Sequence, residues 1–194
     1  MPGTERRTEI MQAVERLLAR GGINAVTMRA VATEANMSLR LVQYYGNSKD
    51  ELLSATLERL ADQSIERWRA RSEQPGTDRS AFGHVEAFLH EALPTDQASR
   101  ELHRLGVSLE ALAITRPDMA GRAYQRHLRG LADHLGDILR SEHLDTPSAR
   151  LLAVEVMGLA HGVGTLLMAD QLSQSEAQSL ILDYLDRLRP RLSR

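Results

Sequence analysis

The chain has no cysteine, one tryptophan, two phenylalanines and a single lysine, Lys49, among 24 basic side chains. Without cysteine there can be no disulfide, no thiolate metal ligand and no cysteine nucleophile. A chain of 194 residues is long enough to bury a sizeable core without such staples. The first nine residues are charged but lack the apolar stretch of a signal peptide, so export is not expected. No long apolar run is present either. The most apolar stretch, 156–169, falls short of the roughly 20 residues a membrane span needs and is bounded by Glu155 and Asp170, which reads as a buried helix. Alternating β-branched runs and Asn-Gly hairpin turns are missing, so strands are not expected. Nucleophile elbow, phosphate loop, dinucleotide fingerprint and HExxH spacing are also missing. A small all-α enzyme therefore has no residues to nominate, and no catalytic residue, metal or cofactor is expected. The expectation is a cytoplasmic protein without a membrane partner.

The formal net charge of −2 does not describe a general nucleic-acid binder, but it is unevenly spread, with seven basic and five acidic side chains in residues 1–50. That small positive excess permits DNA binding without requiring it.

Helical spacing accounts for nearly all of the chain. Ile10, Ala13, Val14, Leu17 and Leu18 define one apolar face of a first helix from about 4 to 20, stopped by Gly21-Gly22. Thr27 is a good N-cap for a second, short helix over 27–35, which breaks at Asn36, a residue that tolerates positive φ. Ser38 caps a third helix that ends at Gly46-Asn47, and Ser48 with Glu51 reads as a capping box for a fourth. Further segments follow at about 49–72, 79–93, 97–115, 117–142, 147–171 and 174–190. The fold class is all-α, with about nine helices.

Residues 27–45 have the proportions of a helix-turn-helix: a two-turn helix, a short turn with a left-handed position and a second helix for the major groove. On that second helix the spacing turns Val42 inward with Met37 and leaves Leu39, Arg40, Gln43 and Tyr44 outward. Arginine can pair bidentately with guanine and glutamine with adenine.

These residues carry a resemblance. Thr27-Met28-Arg29-Ala30-Val31-Ala32-Thr33-Glu34-Ala35-Asn36-Met37-Ser38, followed by Tyr44-Tyr45 and Ser48-Lys49-Asp50-Glu51-Leu52-Leu53, is similar to the DNA-binding domain of the TetR (tetracycline repressor-like) family. The resemblance implies that Thr27, Ser38, Tyr45 and Lys49 contact phosphates and that Arg29, Leu39, Arg40, Gln43 and Tyr44 lie at or near base edges. It implies a helix-turn-helix domain over 1–48 and a helical ligand-binding and dimerisation domain over 49–194. The chain departs from the family at Asn36, where glycine is usual, at Gln43, where tyrosine is commoner, and at Gly46, where a bulky apolar residue usually packs the recognition helix. A looser or shifted recognition helix is the expected consequence, and a helical protein-binding module without operator recognition the alternative it raises.

In the remainder, Ala177, Leu180, Ile181, Tyr184, Leu185 and Leu188 form one stripe, whereas between Leu151 and Ala169 only Glu155, His161 and Thr165 are polar. The second pattern calls for cover on both faces, more than one protomer is expected to supply. Gly158, Gly162 and Gly164 allow close approach of another helix, and Gly158 and Gly162 with Leu166, Ile181, Tyr184 and Leu188 form the expected homodimer interface, the arrangement found in the TetR family. Two recognition helices held about 34 to 36 Å apart would read a palindromic operator in double-stranded DNA. The middle helices are expected to hold a pocket for an unknown small-molecule effector, with Trp68, Phe88, His103, Tyr124 and His127 as its candidate residues. The expected function is a ligand-responsive repressor that releases its operator when the effector binds.

Overall fold

The structure is a computed structural model that describes residues 2–74, 76–115, 119–140 and 144–192. These form nine helices and no strand: α1 (Pro2–Ala25), α2 (Met28–Glu34), α3 (Leu39–Tyr45), α4 (Lys49–Ser72), α5 (Ala81–Ala92), α6 (Gln97–Thr115), α7 (Met119–Arg140), α8 (Thr146–Met168) and α9 (Gln174–Leu192). The all-α expectation holds. The expected limits 117 and 142 of the seventh helix fall outside the described residues.

The helix boundaries follow local chemistry. Within α1 the backbone leaves helical geometry at Gly21 and Gly22, and Gly22 has φ 63°, a conformation L side chains resist. The Thr27 hydroxyl accepts from Ala30 N–H at 3.1 Å and that of Ser38 from Leu41 N–H at 3.2 Å, satisfying donors a helix start leaves open. The capping box is displaced by one residue from its expected form. Glu51 N–H donates to the Ser48 hydroxyl, but the Glu51 carboxylate accepts from Asn47 N–H at 2.7 Å. A full reciprocal box instead opens α9, between Ser173 and Glu176. At the other end of α9, Pro190 does not end the helix, which continues to Leu192.

The chain packs as two compact units. The first comprises residues 1–61 and 101–127 and the second 62–100 and 128–194, so α4, α6 and α7 contribute residues to both. The core of the first gathers Ile10, Val14, Val31, Val42, Leu53, Leu57, Leu105 and Leu109. That of the second gathers Trp68, Val85, Leu89, Leu135, Leu139, Leu152, Val156 and Ile181.

Helix α8 is longer than the apolar run that marked it in the sequence. It has 23 residues and a mean hydropathy of 1.7 over its most apolar window, enough by length and composition to cross a membrane. Its Leu152, Ala153, Val156, Ala160 and Val163 side chains are buried in the second unit, and 33 % of the apolar window is buried. Its other face exposes Leu151, Val154 and Leu166 at 72 %, 49 % and 45 %.

Candidate nucleic-acid interface

Helices α2 and α3 are joined by a turn whose geometry depends on Asn36. This residue has φ 52°, which asparagine tolerates better than most L residues, and flanking N–H groups close the turn: Asn36 donates to Thr33 O and Met37 to Ala32 O. Val42 on α3 is fully buried, which fixes the rotation of the helix. Arg40, Gln43 and Tyr44 are consequently exposed. Leu39 is not: it is half-buried and packs on the core of the unit, because at the first turn of α3 its side chain leans back toward α2. Arg29 is exposed on α2, as are the two capping residues Thr27 and Ser38, and Tyr45 is half-buried with its ring edge-on to Tyr44 at 5.2 Å.

Lys49 has a structural contact as well as the phosphate role expected of it. Its ammonium donates to the Ile23 carbonyl just beyond the Gly21-Gly22 break, and partial burial holds its pKa below the ordinary lysine value. One of three ammonium donors is thus spent on holding α4 to the end of α1.

Gly46 lies at the end of α3 with φ −165° and ψ 117°, extended backbone open to any residue, so packing and not conformation favours glycine. A Cβ there would sit 2.5 Å from Leu52 Cδ2 and 3.0 Å from its Cγ. Leu52, 2 % exposed, occupies the space that the missing side chain would fill. The expected looseness of the recognition helix therefore has no void behind it. Gly46→Ala is expected to lower stability by about 1 to 2 kcal/mol through overpacking, read from urea melts; a variant as stable as the parent would mean that Leu52 does not hold this position.

Two ion-pair clusters brace the interface, and neither has a local sequence signal. Arg16 Nε meets Glu34 at 2.6 Å, and Arg20 also bonds this carboxylate, tying α1 to the end of α2; the hydrogen bonds from the two guanidinium groups hold the Glu34 pKa below the usual carboxylate range. Arg59 on α4 grips Glu15 on α1 through both of its carboxylate oxygens. The partners lie 18 and 44 residues apart for the Arg16 and Arg59 pairs, beyond the reach of helical spacing.

Trp68 and Phe88 meet at a centroid distance of 5.2 Å in the second unit, and the His134 ring stands the same distance from Trp68. The Trp68 indole N–H donates to His84 O at 2.9 Å. Tyr124 is buried in the core of the first unit, to which His103 and His127, both half-buried, also belong. On α8, Gly158 and Leu166 are exposed and Gly162 half-buried, whereas on α9 Ile181 and Leu188 are 0 % and 1 % exposed because they face the chain's own core. Tyr184 is half-buried and donates to Glu155 at 2.9 Å, where Arg191 also binds.

Residues 10–56 match the model of the bacterial regulatory proteins of the tetR family, and residues 83–190 match that of the BetI-type transcriptional repressor C-terminal region. An uncharacterised HTH-type transcriptional regulator from the dhlA 5' region of Xanthobacter autotrophicus is 32 % identical over 144 residues, 72 % of this chain and 68 % of that protein. A transcriptional regulator from Rhodococcus sp. Rha1 has the same fold, with TM-score 0.76 and 22 % identity over 92 % of each chain. So does the multidrug binding protein EbrR, solved with imidazole, with TM-score 0.68 and 22 % identity over 94 % of each chain.

Proposed function

Because the chain belongs to the TetR family of DNA-binding transcriptional regulators, we propose that it is a cytoplasmic, homodimeric repressor that binds a palindromic operator and releases it when a small molecule binds its helical C-terminal part. The observation that carries the DNA part of this reading is the outer face of α3, where burial of Val42 leaves Arg40, Gln43 and Tyr44 exposed side by side. Residues 1–48 do the reading, with Thr27, Ser38, Tyr45 and Lys49 on phosphates and Arg29, Arg40, Gln43 and Tyr44 toward the bases. Residues 49–194 do the sensing and pairing. The outward apolar stripe of α8 supports dimerisation, and two recognition helices on one two-fold axis suit a palindrome. The structure of EbrR with imidazole gives a precedent for a small molecule held by this fold. The aromatic pair Trp68–Phe88 is the proposed effector wall; as the sole tryptophan, Trp68 would report entry through its fluorescence. Leu52 behind Gly46 removes the motive for reading the chain as a protein-binding module.

Duplexes selected from random DNA, followed by thermal-shift screening with metabolites, test this reading. Gln43→Ala is expected to relax preference at one base pair, whereas Lys49→Ala weakens binding to selected and random duplexes alike. Equal losses on both duplexes for both variants would overturn these roles, and failure to enrich any duplex would overturn operator binding.

A further inference from the structure

Of the arginines in residues 1–50, Arg16 and Arg20 are committed to Glu34, and Arg29 and Arg40 lie on the helix-turn-helix. Arg6 and Arg7 are left over. Both are exposed, and neither has an ion-pair or hydrogen-bond partner among the described residues.

Their position is fixed from both ends. Gly3, Arg6, Arg7 and Ile10 follow one another along one side of α1, at spacings i, i+3, i+4 and i+7. Ile10, 1 % exposed, anchors that side in the core of the first unit. At the other end, a Cβ on Gly3 would lie 3.8 Å from the Tyr45 hydroxyl. Along that side of α1, Arg6 and Arg7 therefore lie between Ile10, which is in the core, and Gly3, which adjoins Tyr45 at the C-terminal end of α3. Nearby Glu5 and Glu9 are exposed too, but neither pairs with the arginines. Two exposed planar forks on the side of α1 whose Gly3 adjoins a phenolic hydroxyl suit bidentate recognition of phosphate oxygens.

We infer that Arg6 and Arg7 extend the nucleic-acid interface beyond the helix-turn-helix by gripping backbone phosphates of double-stranded DNA on the strand that Tyr45 faces. This rests on the reading of Tyr45 as a phosphate contact. The arginines supply sequence-independent grip, so their contribution shows as affinity and salt dependence and not as base preference.

The test uses the full chain, random-sequence duplex DNA and duplexes selected from a random pool, with anisotropy titrations over a series of salt concentrations. Arg6→Ala/Arg7→Ala is expected to bind both DNAs about tenfold or more weakly. It should also flatten the plot of log K against log salt by roughly 0.9 for each phosphate that is no longer neutralised. Arg6→Lys/Arg7→Lys should retain most of the slope, since charge releases the counterions. Because both side chains are exposed, an unchanged melting temperature is expected in both variants. An alanine variant with the parental salt slope overturns the inference while leaving operator binding by the parent intact. A weakening confined to selected duplexes overturns it as well, by assigning the arginines to bases. A parent chain that binds neither DNA overturns this inference and the repressor reading together.

Discussion

Replacing Arg59 with alanine is expected to destabilise the first unit by about 3 kcal/mol, because it strands a buried carboxylate without its counter-ion. Glu15 is 8 % exposed, and Arg59 reaches its Oε1 from Nε at 3.0 Å as well as gripping both oxygens from its terminal nitrogen. Burial is the largest influence on this carboxyl and raises its pKa; the Arg59 hydrogen bond and charge pull it down, Glu101 pushes it up again and Arg16 lowers it slightly. The net direction is upward, so the folded protein holds this proton more tightly than the unfolded chain does. The contribution of Glu15 to stability is thus fully present below the ordinary carboxylate pKa and declines as pH rises through the elevated one. Without Arg59 the pKa rises further and the penalty falls on the ionised form. The difference between parent and variant should accordingly be largest near neutral pH and shrink on acidification, as seen in denaturant melts at about pH 7.5 and about pH 5. Glu15→Gln in the same background should recover much of the stability, and a double-mutant cycle isolates the pair. A pH-independent destabilisation would show that the arginine stem, and not its charge, does the bracing.

That pair also marks where the sequence stopped being legible. Features set within a few residues could be read directly: the caps at Thr27 and Ser38, the left-handed Asn36, the break in backbone geometry at Gly21-Gly22 and the inward Val42 all depend on backbone chemistry or on a 3.6-residue period. What could not be read are the partners of those faces. Lys49 on Ile23, Arg59 on Glu15 and Leu52 beneath Gly46 are tertiary contacts, and periodicity shows that a face is covered without showing by what. The α9 stripe makes the distinction concrete. Ala177, Ile181, Leu185 and Leu188 are buried within the chain, while Leu180, from the same stripe, is 44 % exposed. One apolar pattern therefore serves the chain's own core along its middle and faces solvent along its flank.

The solvent-facing flank carries the other large prediction. On α8, Leu151, Val154, Gly158, Gly162 and Leu166 recur at intervals of three or four and so share one face, with three large apolar side chains exposed. In a two-fold dimer the same patch meets its own copy, so Leu166→Glu would place two carboxylates in one apolar interface. Leu166 is 45 % exposed in the single chain, so the substitution should leave helix content unchanged by circular dichroism while shifting sedimentation to the monomer. Operator affinity should then fall about 10²- to 10⁴-fold, because the second half-site contact would no longer be made at the high effective concentration that linkage provides. Leu182→Glu is the control: it is 53 % exposed but lies a helical step beyond Ile181 on the side away from Leu180, and it should leave the dimer intact. A Leu166→Glu protein that still sediments as a dimer would place the interface elsewhere. A monomeric variant with undiminished operator affinity would separate DNA reading from dimerisation and remove the basis for a palindromic site.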